Sequence, residues 1–277
     1  MKKILIPTDF SPCAQNAADY AVALFAYEPV QFVLLNSYLV PHSTADTLIT
    51  IDDILKRNSE EKLAEEVQRL HALNENRRAQ FSFCSRPGDL TLVIRKMVKS
   101  QSMSLVVMGT GGNNGIRDLL MGTNTASVIR SAPCPVLAIP ENARFVTPEH
   151  IVFAVDKINP LMNGNLGILK HVSATFRSHI TLVHVNTGSS VLKDGDRIMA
   201  EQGQKAFDNR ISLDAETVED KNIIAGLQKY LAAHEDVQWV VMMPEKHAFP
   251  ENLYHRSTTT RWVSQAPLPL LALRESY

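Results

Sequence analysis

The residues whose type and spacing suggest chemistry lie in GTGGNNGIRDLLMGTNT, positions 109 to 125, where five of the chain's twelve glycines fall within fourteen positions. The stretch follows the apolar run SLVVM and precedes ASVIRSAPCPVLAIP, so it joins a buried strand to a helix and a further strand. Glycine carries no Cβ and lets backbone N–H groups come close to an anion, and a loop that leads into a helix N-terminus aims such groups at phosphate. Gly109, Gly111, Gly112 and Gly115 sit just past the strand. Gly122 and Thr123 open the helix, where an amide and a hydroxyl can close over the same phosphates. Glycines after a strand also serve as plain turn punctuation, and that reading stands beside the first.

Other chemistries find less support. No G-x-x-x-x-G-K-[ST] occurs, and G-x-G-x-x-G would need glycine at position 114, which is Asn114, so neither a P-loop nor a dinucleotide fingerprint is present. His247 and His255, with Glu245 and Glu251 nearby, lack any HExxH or paired-cysteine spacing and read as surface residues. His184, inside TLVHV, reads as a strand-end residue. No nucleophile, base and orienting acid assemble from spacing, so no catalytic residue is assigned. Asp9 closes the strand KILIPTDF. It is either a ligand contact or, with Ser11, a candidate N-cap for the helix that follows, and the two roles are compatible.

The elements that must position these residues occur twice. KILIPTDFSP corresponds to HIVFAVDKINP, VQFVLLNSY to SHITLVHVN, SLVVMG to QWVVMM, and SAPCPVLAIP to QAPLPLLALR. The second copy is shorter by about 13 positions, lost in the helical segment that in copy one runs from about 46 to 78, where Leu63, Val67 and Leu70 recur at helical spacing. Within each copy, Val, Ile and Leu strands alternate with amphipathic stretches, the pattern of a parallel sheet with crossover helices. The expected fold is α/β, with two tandem doubly wound domains, 1–143 and 148–277, each a five-stranded parallel sheet flanked by helices. The linker is expected in ENARFVTPEH, 141 to 150. Trp239 and Trp262 are expected in core packing.

The 277 residues suit two domains, and 28 Lys plus Arg against 29 Asp plus Glu provide no electrostatic reason to expect nucleic acid or a membrane as partner. Cys13, Cys84 and Cys134 suggest no disulfide framework, the opening MKKILIPTDF reads as no signal peptide, and the expected address is cytoplasmic.

The order G-x2-G-x9-G-T, from Gly109 through Gly112 to Gly122 and Thr123, together with a first strand ending IPTDFS, resembles the universal stress protein family. The resemblance covers both copies as a tandem, Rossmann-like arrangement, with copy one the closer match. It implies that copy one holds ATP or a related adenine nucleotide, with Mg²⁺ possible on the phosphates. Gly109, Gly112, Gly122 and Thr123 would wrap phosphates and ribose, Asp9 would face the adenosine end, and a backbone group near Ser37 would touch adenine. Thr110, Gly111, Asn113, Gly115 and Asn124 complete the implied nucleotide-binding set. The resemblance further implies an internal pseudo-dimer and a homodimer. In copy two the aligned loop reads MPEKHAFPENLYHRST, without glycine and keeping only Asp156, Ser257 and Thr258, so that half is expected to be structural or partner-facing. Function is therefore expected to be stress-response regulation through bound nucleotide. A nucleotide-independent scaffold and a slow ATPase are the alternatives. On the nucleotide reading, a bulky residue at Gly109 or Gly122 abolishes binding and leaves the fold intact.

Overall fold

The structure is a computed structural model that describes residues 1–40, 45–111, 123–155, 165–188, 195–207, 211–244 and 268–274. It divides into two compact units, Met1–Phe145 and Val146–Tyr277.

Unit 1 runs β1 (Lys2–Pro7), α1 (Pro12–Leu24), β2 (Val30–Tyr38), α2 (Ala45–Leu73), β3 (Ala79–Pro87), α3 (Leu90–Gln101), β4 (Leu105–Gly109), α4 (Thr123–Ser131) and β5 (Val136–Ile139). All five strands are parallel, in the order β3-β2-β1-β4-β5. Ile4, Leu5 and Ile6 of β1 are consecutive and fully buried, which requires cover on both faces of the sheet, and the crossover helices supply it. β3, at the end of the order, mixes exposed and half-buried residues instead.

Local chemistry sets the helix starts. Ser11 caps α1, accepting from the Ala14 amide at 3.2 Å, with Pro12 in the first turn, where a missing N–H costs nothing. Asp89 caps α3 through the Leu92 amide at 3.0 Å, after a turn in which Gly88 takes φ +119°. The apolar stripe of α2 buries Leu63 and Leu70 as its spacing predicts. One polar tie joins α1 to α2: Arg69 donates to Glu66 at 2.8 and 2.7 Å and to Asp19 at 2.6 Å. Hydrogen bonding to Glu66, then Asp19, holds the guanidinium pKa above its usual value against the opposing effect of burial.

Unit 2 runs β6 (His150–Ala154), α5 (Gly167–Phe176), β7 (His179–Asn186), α6 (Gly195–Ala206), β8 (Ser212–Glu219), α7 (Ile223–Ala233), β9 (Trp239–Met242) and β10 (Leu270–Ala272). Its strands are also parallel, in the order β8-β7-β6-β9-β10. Where α2 has 29 residues, α6 has 12, so the shortening of the second copy falls on this crossover. Trp239 is 1% exposed, a core residue of β9; Trp262 lies outside the described residues.

Because Glu66 is buried and its partner Arg69 is about one-third exposed, Arg69→Ala leaves a carboxylate without its countercharge. We expect a loss of about 2 kcal/mol, a discounted value for a partly solvated pair, in denaturant unfolding monitored by circular dichroism. Adding Glu66→Gln to that variant should recover part of the loss, which a purely packing role for Arg69 would not allow.

Candidate functional site

β1 and β4 are neighbours in unit 1, although β2 and β3 separate them in the chain. The chain leaves β1 on one side and resumes with β4 on the other, so the crevice beyond their carboxyl ends is the switch point of the sheet, where open α/β domains take ligands. The pairs Ile4↔Leu105 and Leu5↔Val106, continued along the strands, set Thr8 and Asp9 level with Gly109 and Thr110.

The turn after β1 is held by its own side chains. Thr8 Oγ1 accepts from the Phe10 amide at 2.9 Å, and Asp9 Oδ1 accepts from the Ser11 amide at 3.1 Å. Between them Phe10 takes φ +64°, the left-handed region that a bulky side chain seldom occupies. Of the two candidate caps, Ser11 is the one that caps α1. Asp9 stands two residues ahead of it, exposed at the crevice.

α1 then packs its first turn against the end of β4. A Cβ on Gly109 would stand 2.6 Å from Cys13 Sγ and 2.8 Å from Cys13 O, so no side chain fits there. The Gly111 amide donates to Cys13 Sγ at 3.2 Å, and Thr125 Oγ1, in the first turn of α4, donates to Gly109 O at 2.8 Å. One end of the glycine-rich loop is thereby fastened to α1 and the other to the end of β4. The Thr110 amide donates to Ile139 O at 3.0 Å, whereas its hydroxyl, on a residue 3% exposed, has no hydrogen-bond partner among the described residues. Burial pushes the Cys13 thiol pKa up; the Gly111 amide pulls it down, and the charges of Glu141 and Asp9 add to the rise. Cys13 is thus a neutral thiol that packs and accepts, a poor nucleophile.

On the other side of β1, Ser37 lies in β2 one residue before its end. β1 pairs with β2 only as far as Pro7↔Leu35, and the Thr8 amide then bonds Leu35 O at 2.8 Å. Backbone direction alternates along a strand, so the Ser37 N–H and C=O face the β1 side beyond the point where β1 stops, toward the crevice. Beneath them runs a polar chain: Asn36 Nδ2 donates to Thr8 O at 2.7 Å, Ser59 Oγ of α2 to Asn36 Oδ1 at 2.8 Å, and Ser85 Oγ of β3 to Ser59 Oγ at 2.7 Å. Tyr38 donates to Asp52 of α2 at 3.0 Å; burial, then Asp52, pushes its pKa up to about 12.

The structure therefore brings Asp9, Ser37, Gly109, Thr110 and Gly111 to one crevice. Thr123 opens α4 and Asn124 is exposed in its first turn, while Gly112, Asn113, Gly115 and Gly122 lie outside the described residues. Sequence reasoning missed Cys13, Asn36, Ser59 and Thr125. Asn36 alone carried a signal, as a lone amide closing an apolar strand. The expectation that Gly109 can be enlarged without harm to the fold is corrected, because the atom in the way is α1 backbone.

In unit 2 the Val155 amide bonds Val183 O at 2.9 Å, as Thr8 bonds Leu35 O, and His184 Nδ1 lies 3.1 Å from Val155 O where Asn36 bonds Thr8 O. His184 is thus the counterpart of Asn36, and since a carbonyl only accepts, its Nδ1 carries the proton. Asp156 and residues 245–258 lie outside the described residues, and with them His247, His255, Glu245 and Glu251, expected at the surface. Among the described residues no group of three His, Cys, Asp or Glu could hold a metal ion.

A parallel β3-β2-β1-β4-β5 sheet flanked by crossover helices defines unit 1 as a doubly wound α/β domain. The chain belongs to the universal stress protein family, whose model matches residues 1–140. A universal stress protein of Methanocaldococcus jannaschii is 28% identical over 142 residues, 50% of this chain and 81% of that protein. Another, from Synechocystis, is 26% identical over 150 residues, 50% of this chain and 96% of that protein. The solved universal stress protein from Archaeoglobus fulgidus shares the fold with a TM-score of 0.75 at 17% identity, covering 98% of this chain and 97% of that one. No helix among the described residues is long and apolar enough to cross a membrane.

The two described glycines of the loop differ in what a side chain would meet. A Cβ on Gly111 would meet Cys13 Sγ at 3.4 Å and Glu141 Oε2 at 3.8 Å, ordinary contacts. Gly109→Ala should lower stability by about 2 kcal/mol or more, and Gly111→Ala by about 0.5 kcal/mol or less. Thermal melts of the two variants side by side check this, and equal losses would show that the α1 contact at Gly109 is not limiting.

Proposed function

We propose that unit 1 binds ATP or a related adenine nucleotide and that occupancy regulates the protein's part in a stress response. The observation that carries this reading is the fastening of the glycine-rich loop at the switch point, its Gly111 end to Cys13 of α1 and its Thr125 end to Gly109 O. The phosphates lie against Gly109, Thr110, Gly111, Gly112, Asn113, Gly115, Gly122, Thr123 and Asn124, the orphaned Thr110 hydroxyl being one donor that a phosphate oxygen can satisfy. Asp9 faces the ribose, and the Ser37 backbone offers a donor and an acceptor to the edge of adenine. Mg²⁺ accompanies the phosphates; the carboxylates of Asp9 and Glu141 beside Cys13 are hard oxygen donors of the kind that ion takes. Unit 2, whose sequence lacks the glycines, is structural or partner-facing, and the chain acts as a cytoplasmic homodimer. Binding shifts the protein between shapes that partners distinguish.

Calorimetric titration of nucleotide-stripped protein with ATP and Mg²⁺ should give saturable binding near one ATP per chain, and chromatography should recover the ATP intact. Two per chain would assign a second nucleotide site to unit 2. No binding would leave the nucleotide-independent scaffold as the better reading.

A further inference from the structure

We infer that Glu141 is the charge-selecting residue of the unit 1 crevice: its carboxylate disfavours a free polyphosphate and favours the same ligand once a divalent cation neutralises it. This rests on the nucleotide reading above and adds a specificity determinant to that site.

Glu141 follows Pro140, just past β5, in a segment whose backbone is pinned to α1. Asn16, buried in α1, donates to Pro140 O at 3.2 Å and to Ala143 O at 2.8 Å. Arg144 donates back to Asn16 Oδ1 at 2.5 Å, the Ala143 amide bonds Pro140 O at 3.1 Å, and Phe145 packs edge-on against Tyr20 with ring centroids 5.3 Å apart. The Glu141 side chain is exposed, yet its origin is held, and its Oε2 lies 3.8 Å from the point where Gly111 would carry a Cβ. Its field is felt at the crevice floor, where it helps raise the Cys13 thiol pKa.

Among the described residues Glu141 has no ion-pair partner, and the segment 109–125 carries one Arg and one Asp, no net charge. A phosphate seated at the Gly111 end of the loop therefore comes within a few ångströms of the Glu141 carboxylate. At that separation, and with the screening of a surface site, one like-charge contact changes affinity by about ten-fold. A divalent cation shared between phosphate and carboxylate reverses the sign of the same contact.

The test is calorimetric titration of the full chain with ATP, once in EDTA and once in Mg²⁺, for the wild type and Glu141→Gln. Glu141 makes no hydrogen bond that the variant would lose, and a melting curve confirms the variant's fold. The ratio of the Mg²⁺ affinity to the metal-free affinity should fall by about ten-fold in the variant. An unchanged ratio, with the wild type binding both forms, overturns the inference and spares the nucleotide reading; a wild type that binds neither form overturns both.

Discussion

The first turn of α1 can rest on the end of β4 only because Gly109 carries no side chain. The obstruction a Cβ would meet is the Cys13 carbonyl as well as the sulfur, so the contact is backbone against backbone and cannot relax by a change of rotamer. The arrangement of the crevice follows from it. Cys13, held at that point, takes the Gly111 amide, and Gly109's own carbonyl remains free to receive Thr125 from α4. A glycine whose sequence context suggests an accommodation to phosphate is therefore a condition of helix-to-strand packing in its own right.

A buried polar chain supports the opposite wall. Thr8 O, Asn36, Ser59 and Ser85 connect β1, β2, α2 and β3 at their crevice ends, each hydrogen bond satisfying a group that would be costly to bury alone. In unit 2 the same backbone relation survives, but His184 replaces Asn36. The two units keep a common strand order while the chemistry at the carboxyl ends of their strands diverges. That is expected of a fold whose frame is set by apolar burial and whose function is set by a few polar side chains and loops.

Much of the frame was legible in the sequence. Unbroken apolar runs such as ILI and LVVM meant strands covered on both faces, Ser11 marked a helix start, and the repeated landmarks implied two units of one design. The candidate site was legible in part, through the cluster of glycines and through Asp9 at the end of the first strand. Cys13 escaped notice because a single cysteine in a helix has no pattern, and the amide it holds is 98 positions away. Thr125 looked like any helix-start hydroxyl until its acceptor, 16 positions earlier, was brought beside it.

The division has a physical basis. Sequence by itself determined what depends on neighbours along the chain: burial periodicity, helix starts, turn-forming glycines, and the doubling of the whole pattern. Tertiary structure alone decided which backbone groups remain unpaired where β1 stops short of Ser37, which glycine is forced by packing, and whose carboxylate stands beside the loop. Those properties depend on distances between segments far apart in the chain, and only the folded sheet, by placing β4 next to β1, brings them within a few ångströms.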